Sequence, residues 1–283
     1  MRSRRAAAAI GAWTIVMLTT VSAGAELLLG VHPFKPATKL IEAFTPLAAC
    51  LGDKLGEHVT LRIAKDYQAH TDAIGRDELD IAYMGPASYV ALVERYGPKP
   101  LLGRQVITGK SLFHGKIFVR SDSPIRTLAD LTGKRFAFGE PHSTMSHLLP
   151  RYMLWEAGVG IDRFAGHAFV GDHVNVALGV LAGDYDAGAV KEDVYFRYEG
   201  QGLRAIATSP PIADHVFVAG RKLSEEMVRR LRAIMLGLHE DTRCAAALQA
   251  MTPGVTALIE ARDADYDSLR TVLAKLRELG VPY

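Results

Sequence analysis

Short apolar runs alternate along this chain with longer segments in which apolar residues recur every three or four positions. Between residues 26 and 95, buried strands are predicted at 27–31, 59–63 and 81–84, with a helical pattern after each of them. The first helical pattern carries the apolar positions Leu40, Phe44, Leu47, Leu51 and Leu55. This alternation of strand and helix is typical of a parallel sheet with helices on both faces.

A second alternating run begins after two extended segments at 101–107 and 115–120. Its strands are predicted at 135–138, 168–170 and 187–190, and its helices at 143–157 and 173–181. Beyond two short strands at 204–207 and 216–219 the pattern is mainly helical. The chain is therefore expected to have an α/β fold.

Two successive α/β runs predict two lobes, each with a mixed, mostly parallel sheet flanked by helices, and a ligand cleft between the lobes. We expect residues 26–108 and 211–283 to form lobe 1, and residues 109–210 to form lobe 2. Ligands of open α/β sheets bind beyond the carboxyl ends of the strands. That rule selects the segments 32–34, 83–85, 142–146 and 191–192 as walls of the cleft.

The first 25 residues have the pattern of an export signal. Arg2, Arg4 and Arg5 precede the uncharged, mostly apolar segment 6–21, and the small residues at 22–25 form a cleavage site of the A-x-A type. We expect cleavage after Ala25 and a periplasmic protein; an uncleaved membrane anchor is the alternative.

Charge and cysteine content narrow the function classes. The chain has 33 basic and 31 acidic residues, and three of its arginines lie in the predicted signal, so the exported part is close to neutral. A nucleic-acid-binding surface is therefore not expected. Export permits Cys50 and Cys244 to pair, but a chain of this length does not depend on one disulfide. We expect two separate buried thiols.

The segment 134–150 carries the strongest chemical signal. A short strand at 135–138 leads through a Gly-Glu-Pro-His break to Ser143 and Thr144, which open a helical pattern. The first N–H groups of a helix lack intrahelical partners and carry partial positive charge, so this turn is suited to holding an anion. The alternative is that Ser143 only caps the helix.

Several motifs, in order along nearly the whole exported chain, resemble the phosphate/phosphite/phosphonate-binding (PhnD-like) receptors of ABC transporters, which have the type 2 periplasmic-binding-protein fold. They are GVHPF (30–34), FTPL (44–47), LDIAYMGPASYV (79–90), SDSPIRTLADLTGKRFAFGEPHST (121–144), HVNVALGVLAGDYDAGAV (173–190) and ATSPPIADH (207–215). The resemblance implies a two-lobed receptor that closes on a small oxyanion and delivers it to a membrane permease.

The ligand shell of that family includes a Ser-Thr-Ser turn. Ser143 and Thr144 match its first two positions, but the third is Met145, and Ser146 comes one residue later. One residue corresponds to roughly 100° around a helix. The resemblance therefore assigns Ser143 and Thr144 to the ligand, and we add Ser146 as a candidate.

The family also uses a Tyr-x-Ser segment and a His-Asp pair. Phe113 stands at the tyrosine position and Gly115 at the serine position. His173 matches the histidine, but Val174 replaces its acidic neighbour, and Asp214 matches an acidic residue after a Ser-Pro turn. Because these polar groups differ, the sequence does not identify which oxyanion binds.

Two further residues are candidates because they follow predicted strands. Lys191 comes directly after the strand at 187–190, and it is suited to an anion because its ammonium donates charge-assisted hydrogen bonds. Tyr83 ends the strand at 81–84, where packing in the core is an equal alternative.

Metal binding and catalysis are not expected. His142 and His147 are five residues apart, which is poor spacing for two ligands on one helical face, and no Cys-x-x-Cys pattern occurs. A hydrolase using Ser143 or Ser146 with His173 and Asp186 lacks a G-x-S-x-G motif. We therefore predict no cofactor, no metal and no enzymatic turnover.

We expect a monomeric extracytoplasmic receptor for a small phosphorus oxyanion, namely phosphate, phosphite or a phosphonate, that delivers the ligand to an ABC transporter permease. The alternative is a periplasmic sensing protein that presents a bound phosphorus or arsenic oxyanion to a membrane histidine kinase. Both use the same closure of two lobes, so the residues do not separate them.

Overall fold

The computed structural model describes residues 26–283, so the predicted export signal at 1–25 lies outside the described residues. Strands β1 to β13 are Glu26–Val31, His58–Ile63, Ile81–Met84, Leu101–Ile107, Leu112–Phe113, Gly115–Arg120, Arg135–Phe138, Gly166–Phe169, Ala187–Lys191, Leu203–Thr208, Ile212–Ala213, Val216–Ala219 and Val255–Ile259. Helices α1 to α9 are Ala37–Leu55, Tyr67–Gly75, Pro86–Tyr96, Leu149–Glu156, His173–Ala182, Glu192–Glu199, Glu225–Gly237, Thr242–Met251 and Asp267–Glu278. A π-helical turn, Thr144–Leu148, leads into α4.

The strands form two main sheets. The first has the order β13-β4-β12-β3-β1-β2, and the second has the order β10-β6-β9-β7-β8. In both sheets the strands joined by helical crossovers are parallel: β1 with β2 and β3, and β7 with β8 and β9. The remaining pairs are antiparallel, so both sheets are mixed. The predicted α/β class is confirmed.

Each sheet is covered by helices on both faces because their apolar stripes pack against it. One core of the first sheet contains side chains of α1, α7 and α8, and the other contains those of α2, α3 and α9. The second core also includes Leu148 and Leu149, which come from the segment after β7, so the two halves of the molecule are in contact. A ribbon of β5 and β11 connects them, with Ile212 opposite Phe113.

Two features differ from the sequence-based expectation. Strand β13 lies in a region that was expected to be mainly helical; its five residues pair with β4 at the sheet edge, and this tertiary partner outweighs local preference. Cys50 and Cys244 form a disulfide, with Cα atoms 5.7 Å apart, so the expectation of two separate thiols is wrong. The packing of α1 against α8 brings these two distant residues together.

None of the helices in the described part of the chain is long and apolar enough to cross a membrane.

A candidate anion-binding site between the two sheets

A small cavity lies between the two sheets. The enclosed space is far smaller than a typical pocket for a drug-sized molecule, so the cavity suits a ligand of a few heavy atoms. Its walls come from both halves of the chain. The lining residues are His32, Phe34, Tyr67, Gly85, Pro86, Phe113, Ser143, Thr144, Met145, His173, Lys191 and His215.

Several helices begin at this cavity. Tyr67, Pro86 and His173 are the first residues of α2, α3 and α5, and Thr144 is the first residue of the π-helical turn. Lys191 directly precedes α6. Each helix N-terminus carries partial positive charge, so their convergence makes the cavity favourable for an anion. Asp66 and Asp172 cap α2 and α5 and accept N–H groups of their first turns.

Ser143 and Thr144 lie at the start of the π-helical turn and line the cavity. Ser143 caps it, since its Oγ accepts the N–H of Ser146 at 3.3 Å. Thr144 Oγ1 accepts the N–H of Ala87 at 2.9 Å, so the hydroxyl of this turn satisfies one of the orphan donors of α3. This hydrogen bond joins the two halves of the molecule at the cavity wall, which Thr144 lines.

His173 has a defined protonation state. Its Nδ1 accepts the backbone N–H of Lys191 at 3.1 Å, which requires an unprotonated Nδ1. Burial is the main cause that lowers the pKa of His173 to about 3, with Lys191 adding to the effect. The ring is therefore neutral with its proton on Nε2, which lies 3.3 Å from Ser143 Oγ. His173 thus supplies a donor at the cavity wall.

Lys191 provides a buried positive charge. Its residue is 4% exposed, and its Nζ has no hydrogen-bond partner among the described residues. The nearest carboxylate oxygen belongs to Asp193, 3.6 Å away. The ammonium also lies 5.9 Å from the ring centroids of both Phe34 and Phe113, a cation–π arrangement. A buried ammonium without a hydrogen-bond partner is costly, so this position favours an anionic ligand.

Two histidines that were not chosen as site residues form the opposite wall. His32 and His215 stack with their ring centroids 5.3 Å apart, and Tyr83 lies behind both rings. His32 Nδ1 lies 3.0 Å from the Tyr83 carbonyl oxygen, and His215 Nδ1 lies 2.8 Å from Asp214 Oδ1. Burial lowers the pKa of both rings, and for His215 the hydrogen bond to Asp214 opposes this only in part.

Five of the predicted site residues line the cavity: Phe113, Ser143, Thr144, His173 and Lys191. The other three do not. Ser146 points away from it and donates its hydroxyl to the Ala189 carbonyl at 2.6 Å. Tyr83 donates to Gln105 Oε1 at 2.9 Å, and Gln105 donates to Asp214 Oδ1 at 2.7 Å.

Tyr83 and Asp214 therefore support the site indirectly. Burial would raise the pKa of Asp214, but hydrogen bonding with His215 outweighs it and keeps the carboxyl ionised. The ionised carboxylate orients the His215 ring, and the Tyr83 hydroxyl orients the amide that completes this chain of hydrogen bonds. In this structure Tyr83 and Asp214 do not line the cavity but position His215, and their contact with a ligand stays a prediction.

The remaining lining residues could be found only in part from the sequence. The strand-end rule had selected the segments that contain His32, Phe34 and Gly85, but it did not show which side chains face the cleft. Tyr67 begins the helix after β2, and burial raises the pKa of its phenol, which stays protonated. His215 had no sequence signal apart from its position next to Asp214.

Among residues 26–283, no three His, Cys, Asp or Glu side chains are grouped so that they could hold a metal ion.

Comparison with known proteins gives consistent results along the chain. The family described as "ABC transporter, phosphonate, periplasmic substrate-binding protein" matches residues 29–266. The phosphate-import protein PhnD of Mycolicibacterium smegmatis is 26% identical over 271 residues, which cover 87% of this chain and 84% of that protein. A probable ABC transporter phosphite-binding protein, PhnD1 of Prochlorococcus marinus, is 24% identical and covers 89% and 90%.

The fold is also found among solved structures. The structure of PhnD1 from Prochlorococcus marinus in complex with methylphosphonate superimposes with a TM-score of 0.82 and 22% sequence identity. The match covers 89% of this chain and 98% of that one. The two-lobed type 2 periplasmic-binding-protein fold is thereby confirmed.

Proposed function

The chain belongs to the family of periplasmic substrate-binding proteins of phosphonate ABC transporters, and we propose that it binds a small phosphorus oxyanion for import. Phosphate, phosphite and small phosphonates are the ligands in question. Related proteins are named for phosphate import and for phosphite binding, which supports this ligand class. Transport is preferred to presentation to a sensor kinase because the family and both relatives are transporter components.

The observation that carries the proposal is the buried ammonium of Lys191, which has no hydrogen-bond partner among the described residues, in a cavity where several helices begin. Ser143, Thr144 and His173 add hydroxyl groups and an N–H donor around the same space. Donors of this number and charge match the oxygens of a tetrahedral anion. Phe34 and Phe113 also line the cavity, and their apolar rings lower the local polarity around the Lys191 ammonium, which strengthens these interactions.

Binding and release of the ligand would depend on movement of two lobes relative to each other. Residues 26–108 and 211–283 form one lobe and residues 109–210 the other, with the β5–β11 ribbon between them as the hinge. The protein is exported to the periplasm by cleavage after Ala25 and acts as a monomer without turnover. Closure of the lobes on the ligand creates the surface that the permease recognises.

A thermal-shift screen tests the ligand class with phosphate, phosphite, methylphosphonate, arsenate, sulfate and small carboxylates. A ligand at a hundred times its Kd stabilises the folded state by about 2.7 kcal/mol. For a chain of this size each kcal/mol raises Tm by roughly 2–4 °C. Binding of amino acids, sugars or metal ions alone would contradict the proposal.

Lys191→Met provides the matched variant. Removal of the buried charge should abolish the ligand-induced shift, and the Tm of the free protein should fall because Asp193 loses its ion-pair partner at 3.6 Å. Lys116→Met is the control, since Lys116 also lies over an aromatic ring, Phe196 at 5.6 Å, but outside the cavity. Equal ligand shifts in the wild-type protein and Lys191→Met would place the anion elsewhere.

A further inference from the structure

The tautomers of His32 and His215 are set by their hydrogen bonds on the side away from the cavity. His32 Nδ1 faces the carbonyl oxygen of Tyr83, and His215 Nδ1 faces a carboxylate oxygen of Asp214. Both partners can only accept, so each Nδ1 carries the proton. In a neutral imidazole the other nitrogen, Nε2, then has a free lone pair and is an acceptor.

Both Nε2 atoms converge on one part of the cavity. Each lies 3.7 Å from the position that a Cβ on Gly85 would occupy. His32 is fully buried and His215 is 5% exposed, and His32 Nε2 has no hydrogen-bond partner among the described residues. The cavity therefore contains two acceptors, of which His32 Nε2 is buried without a partner in the described part of the chain.

The surroundings keep these rings neutral. His32 faces His70, His215, Tyr67 and Tyr83, whereas Lys191 approaches both rings from the other lobe. Asp214 and Asp193 are the acidic groups that act on His215. Burial lowers the pKa of both histidines, and Lys191 and the neighbouring imidazoles lower it further for His32. Protonation of either ring would place a second cation beside the Lys191 ammonium.

The wall formed by Ser143, His173 and Lys191 presents hydrogen-bond donors instead of acceptors. His173 Nε2–H, the Ser143 hydroxyl and the Lys191 ammonium are donors suited to ionised oxygens. A ligand that satisfies both walls needs ionised oxygens on one side and an O–H group on the other.

We propose that His32 and His215 are acceptors that select oxyanions carrying at least one O–H group and reject tetrahedral anions without one, such as sulfate and alkylsulfonates. The inference rests on the proposed function and adds the protonation state of the ligand. Hydrogen phosphate, hydrogen phosphite and singly ionised phosphonates each carry one O–H group, which can donate to one of the two nitrogens or be shared between them, while their ionised oxygens face the donors. A sulfonate would direct an oxygen lone pair at two nitrogen lone pairs, which leaves buried acceptors unpaired.

Methylphosphonate and methanesulfonate test the inference by titration calorimetry of the wild-type protein. Below the second pKa of methylphosphonate, both ions have one negative charge and the same shape, and they differ only in one O–H group. We expect methanesulfonate to bind at least about a hundredfold more weakly. Above that pKa the affinity for methylphosphonate should fall about tenfold per pH unit, because only the singly ionised form is competent.

Each outcome separates the inference from the proposed function. Equal affinities for the two ions would overturn the inference and leave the function standing. Failure of every phosphorus oxyanion to bind would overturn both. Calorimetry at a pH where methylphosphonate is singly ionised, in buffers of different ionisation enthalpy, should show no proton uptake. Uptake of a proton would show that a histidine becomes a donor, which also overturns the inference.

Replacement of either histidine by glutamine tests its role as an acceptor. A histidine that only stabilised the fold would not change the ratio of the two ligand affinities. In His215→Gln and His32→Gln the side-chain amide can rotate to present a donor, so methanesulfonate should gain affinity relative to methylphosphonate. His147→Gln is the control because His147 is also buried and has Nδ1 bonded to a backbone carbonyl, that of Pro141, but does not line the cavity. An unchanged ratio in both folded site variants would contradict the inference.

Discussion

At the scale of single residues, Gly115 and Met145 are in close contact, and each depends on the size of the other. These are two positions at which the chain departs from the Tyr-x-Ser and Ser-Thr-Ser segments of its family. A Cβ at Gly115 would lie 3.1 Å from Met145 Sδ and 3.3 Å from the Met145 carbonyl oxygen. The missing side chain at one position thus makes room for the larger one at the other.

Gly85 is the residue at which a single methyl group tests the location of the ligand. Its backbone, with φ −70° and ψ 157°, accepts alanine, so Gly85→Ala should leave stability unchanged or raise it by about 0.4–1 kcal/mol. The new Cβ would lie 3.7 Å from Nε2 of both His32 and His215, in the space assigned to the ligand. We expect the affinity for methylphosphonate to fall by about tenfold or more, measured by calorimetry beside a melting curve.

Gly200→Ala is the control for this substitution. Gly200 has φ −66°, and a Cβ there would meet nothing within 4 Å. Wild-type affinity in Gly85→Ala would show that the ligand does not approach the two histidines.

At the scale of elements, the cavity depends on the meeting of helix N-termini from both halves of the chain. Without the other half, the helix N-termini of each half would face solvent. Contact between the π-helical turn and α3 gives the Ala87 N–H a partner in Thr144. The same contact buries Met145 and Leu148 against the core of the first sheet. Closure is therefore stabilised by packing and by the capping of one helix by another element.

Thr144→Val tests this contact, because valine has nearly the same shape but no hydroxyl. The variant leaves a donor of α3 unpaired in the closed state, at a cost of about 1–3 kcal/mol. Affinity should fall roughly 5- to 150-fold, and small-angle scattering should show less compaction on addition of methylphosphonate. The Tm of the free protein should change little.

Thr256→Val serves as its control. The hydroxyl of Thr256 donates to the Val106 carbonyl in the first sheet, away from the cavity. Equal affinity in Thr144→Val and the wild-type protein would show that this hydrogen bond does not contribute to closure.

At the scale of the whole molecule, burial of histidines links stability to pH. The pKa of His147 is lowered by burial from 6.5 to about 4, and that of His173 to about 3. Between these values and 6.5 the unfolded chain binds more protons than the folded chain. The free energy of unfolding should therefore fall as pH decreases below about 6.5. Each such histidine contributes a slope of up to about 1.4 kcal/mol per pH unit.

Urea unfolding at a series of pH values between 7 and about 4 measures this slope. His147→Gln should reduce it, because one buried titrating group is removed. His239→Gln, which changes an exposed histidine, should not alter the slope. A free energy of unfolding that is independent of pH in this range would contradict the prediction.

Local pattern accounts for much of the fold. The spacing of apolar residues predicted the strands β1, β2 and β3 and the helices between them, and it identified the turn at Ser143. The motifs identified the family, which the match over residues 29–266 confirms. Strand β13 was missed because five residues at a sheet edge depend on their partner strand more than on their own sequence.

The sequence by itself determined which segments form strands, helices and turns, because these depend on residues a few positions apart. It also determined the family and placed Ser143, Thr144, His173 and Lys191 at strand and helix ends. Only the tertiary structure decided that Cys50 pairs with Cys244, and that His32 and His215 stack with their Nε2 atoms in one cavity. These features join segments that are far apart in the chain, so no periodicity records them. The protonation of each ring depends in addition on burial and on a hydrogen-bond partner, and both exist only after the lobes have folded.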